Sequence, residues 1–180
     1  MRKIDLFIII ILLCHCEIKG KPLWVSIDNG CGGKCVTITT LESNENEYKA
    51  KVEIHGYYDE PTTIGGVTYH RILFDEPGSL FYVGEPALPL ISRLIALPKG
   101  ESFEVRIKDE QWSEEFFVGQ VMPCQKPVLE TEIDPPFEKD TAIYEKEEYL
   151  MERISVGNLQ KWRGINNRAL NICPLKYKPR

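Results

Sequence analysis

The chain has 180 residues, of which 43% are hydrophobic and 27% are charged, and its formal net charge is −5. This length and composition favour one globular domain with a sizeable core and exclude a disordered chain. No basic stripe and no interleaved arginine–aromatic run occurs, so we expect no nucleic-acid partner. The mild acidity is typical of a solvated protein surface.

The N-terminus has the pattern of a secretory signal peptide. Arg2 and Lys3 precede an unbroken apolar run over residues 6–13, which is too short to span a bilayer as a helix. Small or polar residues follow this run, and they place the cleavage point after Cys16 or Gly20. The pattern therefore predicts an exported chain that is secreted, periplasmic or held at the cell surface.

This reading divides the chain into a signal peptide at residues 1–20 and one domain at residues 21–180. Cys14 and Cys16 raise lipidation as an alternative, which the residues before them, Leu13 and His15, disfavour because a lipidation motif needs a small residue there. No segment of the mature chain is apolar for long enough to predict a transmembrane helix.

Four cysteines remain after the signal: Cys31, Cys35, Cys124 and Cys173. An even count in an exported chain indicates disulfides, with three possible pairings. One arrangement closes the loop from Cys31 to Cys35 and joins Cys124 to Cys173; unpaired buried thiols are the other expectation. The spacing lacks a second close pair, which disfavours a zinc site, and we expect neither a metal nor a cofactor.

Short strands with turn residues between them dominate the rest of the chain. The predicted strands cover residues 36–41, 48–56, 67–74, 91–97, 103–108, 115–122, 153–159 and 164–173, with turns that include residues 62–66 and 160–163. Apolar and polar residues alternate through several of them, as in half-buried antiparallel strands. We therefore predict an all-β fold, an antiparallel and jelly-roll-like β-sandwich, with a barrel as the near alternative.

One long stretch has no such pattern. Residues 123–140 contain Pro123, Pro127, Pro135 and Pro136 together with many carboxylates, and show no sustained period. They predict a long irregular loop at about residues 123–142, and loops of this length are usually functional or mobile. A helical turn is expected within residues 144–149.

The sequence has no recognisable catalytic constellation. The mature chain has only two histidines, His55 and His70, and both lie in strand patterns without a local nucleophile motif. The glutamate runs are typical of solvated surface, and no phosphate-binding loop occurs. We therefore predict no catalytic residue and a chain that is not an enzyme by itself.

Exposed aromatic side chains are the basis of one alternative function. Exported β-sandwiches often bind sugars through such side chains, and Trp112 lies in a predicted turn where it can be exposed. A carbohydrate- or surface-binding module is therefore the second hypothesis. Aromatic residues are more often packed in a core or at its rim.

Three ordered segments carry a resemblance to a known family. Residues 67–74 resemble the strand that precedes the family signature, and the signature itself is similar to the stretch from Gly84 to Gly100. Residues 143–179 resemble the closing segment of the family's domain. The residues that carry the signature are Gly84, Pro86, Pro89, Pro98, Arg163, Gly164, Pro174 and Tyr177. Together these segments resemble the propeptide domain of gingipain-type peptidases, which are caspase-like secreted cysteine peptidases.

The resemblance implies a β-sandwich that assists folding of a caspase-like cysteine peptidase domain, in cis or in trans, and occludes its active-site cleft until removed. It also implies that a basic side chain of the irregular loop enters the specificity pocket, for which Lys126 and Lys139 are the candidates. The catalytic domain is absent from this chain, which is then a fragment of a precursor or a free-standing inhibitor. Arg180 is a candidate processing point.

Overall fold

The computed structural model describes residues 21–28, 33–76, 78, 82–97, 100, 102–128, 135–149 and 152–179. Ten strands and one short helix lie in these ranges. In chain order they are β1 (Leu23–Ser26), β2 (Val36–Ser43), β3 (Tyr48–Ile54), β4 (Gly56–Ile64), β5 (Val67–Leu73), β6 (Ile91–Leu97), β7 (Gln120–Val121), α1 (Thr141–Tyr144), β8 (Ile154–Val156), β9 (Gln160–Trp162) and β10 (Ile165–Ile172).

The strands form two main sheets and one separate hairpin. The first sheet has the order β1-β4-β5-β7, and the second has the order β6-β10-β8 with β9 also paired to β10. β2 and β3 form the hairpin, with a register shift between Thr40 and Glu42. The fold is thus nearly all-β and mainly antiparallel, as the alternating sequence predicts.

One pairing departs from the predicted antiparallel pattern. β5 and β7 run parallel, with Tyr69 opposite Gln120 and His70 opposite Val121. Parallel neighbours cannot be joined by a tight turn, so the chain leaves the first sheet after β5 and returns to it only at β7. The second sheet receives β6 during this excursion.

The core is formed by side chains from both sheets and from the segments that connect them. Tyr57 and Ile72 come from the first sheet, and Ile91 comes from the start of the second. Leu88 and Val121 are almost completely buried. The connecting segments also contribute aromatic residues to this cluster, namely Phe74, Tyr144, Tyr149 and Tyr177.

Several local predictions are wrong. Residues 103–108 were expected to be a strand but form none, and the strand expected at residues 115–122 is reduced to β7. The turn expected at residues 62–66 is confined to Gly65 and Gly66, because β4 continues to Ile64. The connection expected at residues 160–163 contains β9, and β1 and most of β4 were not predicted.

The irregular loop predicted at about residues 123–142 is confirmed over its described residues, although it ends at Asp140. Between β7 and α1, the described residues 122–128 and 135–140 belong to no strand or helix. The helical turn begins at Thr141, three residues before the predicted start, because the Asp140 side chain accepts hydrogen bonds from the first-turn amides of Ala142 and Ile143. Over the ranges the structure describes, no helix combines the length and apolar character that a membrane crossing requires.

Candidate functional site at the base of the irregular loop

The segment around Gly84 holds both ends of the irregular loop. The Gly84 amide donates to the Cys124 carbonyl (2.8 Å), and the Gly84 carbonyl accepts from the Asp140 amide (2.9 Å). The Cys124 amide in turn donates to the Glu85 carbonyl (2.8 Å). Pro86 forms an isolated antiparallel bridge with Pro123. We name this set of backbone contacts the loop clamp.

Glycine is required at the centre of the loop clamp. Gly84 has φ +85°, in the left-handed region that side chains disfavour, and a Cβ there would lie 3.1 Å from the Asp140 amide nitrogen. A side chain would therefore both strain the backbone and push against one end of the loop. The resemblance assigned Gly84 to the family signature, and the structure gives this glycine a physical role.

The side chain of Gln125 joins the two ends of the loop a second time. Its Nε2 donates to the Glu138 carbonyl (2.7 Å), and its Oε1 accepts from the Glu138 amide (2.9 Å). The same Nε2 also lies within hydrogen-bond distance of the Pro123 carbonyl (3.0 Å). One side chain thus substitutes for a pair of strand-like backbone contacts. Nothing in the sequence distinguished Gln125 from other polar loop residues.

Three tyrosines support the loop clamp from the core. The Tyr144 hydroxyl donates to the Val121 carbonyl (2.7 Å), and the Tyr177 hydroxyl accepts from the Val121 amide (3.1 Å). The Tyr149 hydroxyl donates to the Glu85 carboxylate (2.6 Å). Burial raises the pKa of all three phenols, so they remain neutral hydrogen-bond partners. Of these three, only Tyr177 was singled out from the sequence.

The two candidate lysines of the loop occupy different environments. Lys139 is partly buried, with its Nζ donating to Gln120 Oε1 (2.7 Å) and lying 4.7 Å from the ring centroid of Tyr144 and 5.7 Å from that of Tyr69. Lys126 forms an ion pair with Glu138 (2.7 Å), and its side chain is 59% exposed. Lys139 is therefore integrated into the fold, whereas Lys126 lies on its surface.

The remaining signature residues lie in three separate places. Arg163 and Gly164, with φ 50° and 85°, form the turn between β9 and β10, far along the chain from the loop clamp. Pro174 follows β10, and Pro89 lies just before β6. Pro98 and Arg180 lie outside the described residues.

The cysteines do not show the expected pairing. Cys35, Cys124 and Cys173 are buried free thiols, so the disulfide from Cys124 to Cys173 is not formed; Cys31 lies outside the described residues. Burial, together with a hydrogen bond to Asp75, raises the pKa of the Cys35 thiol to about 11. Burial also raises the pKa of Cys124 and of Cys173. Raised pKa values leave few thiolates, and such cysteines are poor nucleophiles.

Both histidines have structural contacts. His70 lies between the Asp59 carboxylate (2.8 Å from Nδ1) and the Val118 carbonyl (2.9 Å from Nε2). His55 contacts the Asp28 carboxylate and the Thr37 hydroxyl. Among the described residues, neither histidine ring has a cysteine as a hydrogen-bond partner. Among those same residues, no group of three or more metal-ligating side chains is close enough to hold a metal ion.

Trp112 is also engaged within the chain. Its ring lies 4.7 Å from the Arg153 guanidinium and 4.3 Å from the Lys176 ammonium, and its indole nitrogen donates to Glu110 (3.2 Å). These contacts attach the ring to Arg153, which precedes β8, and to Lys176, which follows β10. They give Trp112 a packing role and add no support for a sugar-binding platform.

Comparison with known proteins places this arrangement in a family. The family model described as Propeptide_C25 matches residues 33–180. Lys-gingipain HG66 from Porphyromonas gingivalis is 28% identical over an alignment of 102 residues, gaps included, that covers 53% of this chain and 6% of that protein. The chain thus corresponds to a small part of the length of this curated relative.

Solved structures share the fold. A solved structure of gingipain K from Porphyromonas gingivalis, which concerns its zymogenic latency, superposes on this chain with a TM-score of 0.71 and 21% identity. The superposition covers 88% of this chain and 89% of that chain. The complex of Porphyromonas gingivalis RgpB pro- and mature domains superposes with a TM-score of 0.69 and 17% identity. This superposition covers 79% of this chain and 75% of that chain. The chain therefore belongs to the Propeptide_C25 family, and what it contains is a gingipain-type propeptide domain, not the catalytic domain.

Proposed function

We propose that this propeptide holds a gingipain-type, caspase-like cysteine peptidase domain inactive by occluding its active-site cleft, and that it assists the folding of that domain. The observation that carries this proposal is the loop clamp, which fixes both ends of a long irregular loop on a rigid β-sandwich. A loop with fixed ends loses less conformational entropy when it enters a cleft, and it therefore binds more tightly than a free one.

Of the two candidate lysines, the contacts favour Lys126 as the side chain that enters the specificity pocket. Its release gives up one exposed ion pair with Glu138, and such pairs contribute about 0–1 kcal/mol. Release of Lys139 would remove its hydrogen bond to Gln120 and its contacts with the Tyr69 and Tyr144 rings. Lys139 is instead a structural residue of the loop base.

The proposed contact is a charge-assisted hydrogen bond from the Lys126 ammonium. A lysine ammonium that enters a pocket lined by a carboxylate exchanges its surface partner for a desolvated one, and the interaction strengthens as water is excluded. The named relative is a Lys-gingipain, which agrees with a lysine in this role. The loop then occupies the cleft as a substrate would.

Inhibition assays test this role. The full chain is titrated against mature gingipain K with a lysyl peptide substrate, and Lys126→Ala is compared with Lys51→Ala. Lys51 is the matched control because its side chain is also 59% exposed and pairs with a glutamate, Glu53, at 2.6 Å. We expect Lys126→Ala to raise the inhibition constant roughly 30-fold or more, the equivalent of about 2 kcal/mol, and the control to leave it unchanged.

Two results would count against the proposal. Failure of the unaltered chain to inhibit the peptidase contradicts the inhibitory function as a whole. Equal inhibition by the chain and by Lys126→Ala removes the assignment of Lys126 alone. The folding role is tested separately, by the yield of active peptidase after dilution from denaturant with and without the propeptide, and an unchanged yield contradicts it.

Export of the chain is part of the same proposal. The predicted signal at residues 1–20 and the extracellular setting of a secreted peptidase agree with each other. Mass determination of the chain recovered from outside the producing cells checks this, since removal of the signal shortens it by about 16–20 residues. Retention of Met1 would contradict it.

A further inference from the structure

Two large apolar side chains lie in solvent just before β7. Phe116 and Val118 are each 92% exposed, and the next most exposed large apolar side chain among the described residues is Trp162, at 65%. Single exposed apolar residues are ordinary on protein surfaces, but two almost fully exposed ones so close together indicate a surface that a partner covers. We name Phe116 and Val118 the apolar pair.

The backbone that carries the apolar pair is fixed to the first sheet. Between the two exposed side chains, Phe117 packs against the core, with its ring 4.5 Å from that of His70. The Val118 carbonyl accepts a hydrogen bond from His70 Nε2 (2.9 Å). A Cβ at Gly119 would lie 2.6 Å from the Thr68 carbonyl oxygen, so the chain here packs directly on β5.

The same framework holds the base of the irregular loop. The ring of Phe117 is stacked on that of Tyr177, with centroids 6.5 Å apart, and the Tyr177 hydroxyl accepts from the Val121 amide (3.1 Å). Gln120 accepts from the Lys139 ammonium at the far end of the loop (2.7 Å). The apolar pair and both ends of the loop are therefore attached to one set of core side chains.

This fixed exposure suits a binding contact. An apolar side chain on mobile backbone can fold back onto its own protein, but Phe117 and Gly119 hold the apolar pair outward. Burial by a partner then costs little additional conformational entropy, and most of the gain from removing apolar surface from water contributes to affinity. Aromatic side chains in such positions commonly dominate the binding energy of an interface.

The position of the apolar pair along the chain indicates which partner covers it. Val118 lies four residues before Met122, where the irregular loop begins, and four residues of extended chain span at most about 13 Å. A standard interface covers about 800 Å² on each partner, a patch with a radius of about 16 Å. A peptidase domain whose cleft holds the loop therefore reaches the apolar pair. The neighbouring Glu114 and Glu115 disfavour an anionic lipid surface instead.

We propose that Phe116 and Val118 anchor the propeptide to an apolar patch on the peptidase domain beside its active-site cleft. This inference rests on the proposed function, because the loop must enter the cleft for the peptidase to reach the pair. The anchor contributes affinity through apolar burial, whereas Lys126 contributes a charge-assisted contact in the specificity pocket. The two contacts are chemically separate and can be removed one at a time.

Inhibition assays with mature gingipain K measure the contribution of the anchor. The double variant Phe116→Ser/Val118→Thr is compared with Leu94→Thr/Trp162→Ser, which changes two exposed apolar side chains of the second sheet (55% and 65% exposed). We expect the first variant to raise the inhibition constant roughly 50-fold or more, chiefly through faster dissociation, and the control to raise it less than about threefold.

A conservative variant checks that apolar surface is what matters. Phe116→Met/Val118→Ile keeps two large apolar side chains and should inhibit within about threefold of the unaltered chain. Thermal midpoints of both variants of the pair should match that of the unaltered chain, because neither side chain is buried in the free fold.

Hydroxyl-radical footprinting of the unaltered chain provides a second test that needs no variant. Phe116 should be oxidised readily in the free chain and at least about fivefold more slowly in the presence of excess mature gingipain K, because the complex excludes water from the ring. Trp162, on the second sheet, should be oxidised at the same rate in both samples.

The outcomes separate this inference from the proposed function. If the unaltered chain does not inhibit the peptidase, both are wrong. If the unaltered chain and Phe116→Ser/Val118→Thr inhibit equally, or if oxidation of Phe116 is unchanged in the complex, only the anchor is wrong. Gel filtration of the free chain covers the remaining occupant: a dimer that this double variant abolishes would assign the apolar pair to a second copy and overturn the inference.

Discussion

The loop clamp and residues 102–117, which we name the open segment, differ in a way that the sequence does not suggest. The residues around the clamp are rich in proline and lack any period, yet their backbone is held by Gly84, Glu85 and the side chain of Gln125. The open segment alternates like a pair of strands, yet its described residues have no backbone partner. Order therefore follows from available partners and not from local pattern.

Proline substitutions would expose this difference most strongly. Ile107→Pro in the open segment should change the free energy of unfolding by no more than about 0.5 kcal/mol, because no ladder hydrogen bond is lost. Leu170→Pro in β10, which is paired with both Arg93 and Val156, should cost about 3 kcal/mol or more. Urea unfolding measures both. A cost above about 2 kcal/mol for Ile107→Pro would mean that the open segment is paired after all.

A pair of glycines isolates the contribution of the loop clamp. Gly84 and Gly164 both have φ +85°, but a Cβ at Gly164 would meet no atom within 4 Å. Alanine at Gly164 should therefore cost about 1 kcal/mol of unfolding free energy, and alanine at Gly84 about 2–3 kcal/mol. Thermal and urea unfolding check this ordering, and hydrogen exchange at the Asp140 amide should accelerate only for Gly84→Ala. Equal costs would show that the contact with Asp140 yields without penalty.

The pH dependence of stability should be smaller and should differ between the two regions. Burial raises the pKa of Tyr144 and Tyr177, which support the loop clamp from the core. Their contribution to the free energy of unfolding is therefore complete at pH values under the ordinary tyrosine pKa of about 10, and it is lost as the pH rises through the raised values. The bonds from Arg153 and Lys178 lower the pKa of Glu110 and Glu114 in the open segment.

The contribution of these two glutamates is therefore present above the usual glutamate pKa and is lost as the pH falls through the lowered values. Urea unfolding midpoints between pH 3 and pH 11 measure both effects. We expect a clear decline on the alkaline side and a slight one on the acid side, because the glutamates are exposed. An unfolding midpoint that stays constant above pH 10 would contradict the role of the buried tyrosines.

Much of the architecture was predictable from the sequence. β6 matches its predicted range, and β2, β3, β5 and β10 lie where alternation or β-branched residues predicted strands. These segments find partners within the chain, so pattern and structure agree. Most of β4 was not predicted, because residues 62–66 were assigned to a turn. The strand also contains Pro61 opposite His70, since a proline can be accommodated within a strand where its missing amide is not needed.

The candidate site was predictable only in part. Proline and glycine spacing, together with the family resemblance, identified Gly84, Pro86 and Tyr177. The contributions of Gln125 and Tyr149 depend on contacts between residues far apart in sequence, such as Tyr149 with Glu85, and no local signal marks them. The different environments of Lys126 and Lys139 likewise arise from the aromatic rings that only Lys139 reaches.

The parallel pairing of β5 with β7 has a kinetic consequence. Tyr69 and Gln120 become neighbours only when the intervening chain, including all of β6, has been accommodated. Contacts of such large sequence separation are costly in loop entropy and form late, which slows folding. Final closure of the first sheet should therefore be the slow phase of refolding, observable in pulsed hydrogen exchange as late protection of the Met122 amide, which donates to the His70 carbonyl of β5 (2.9 Å).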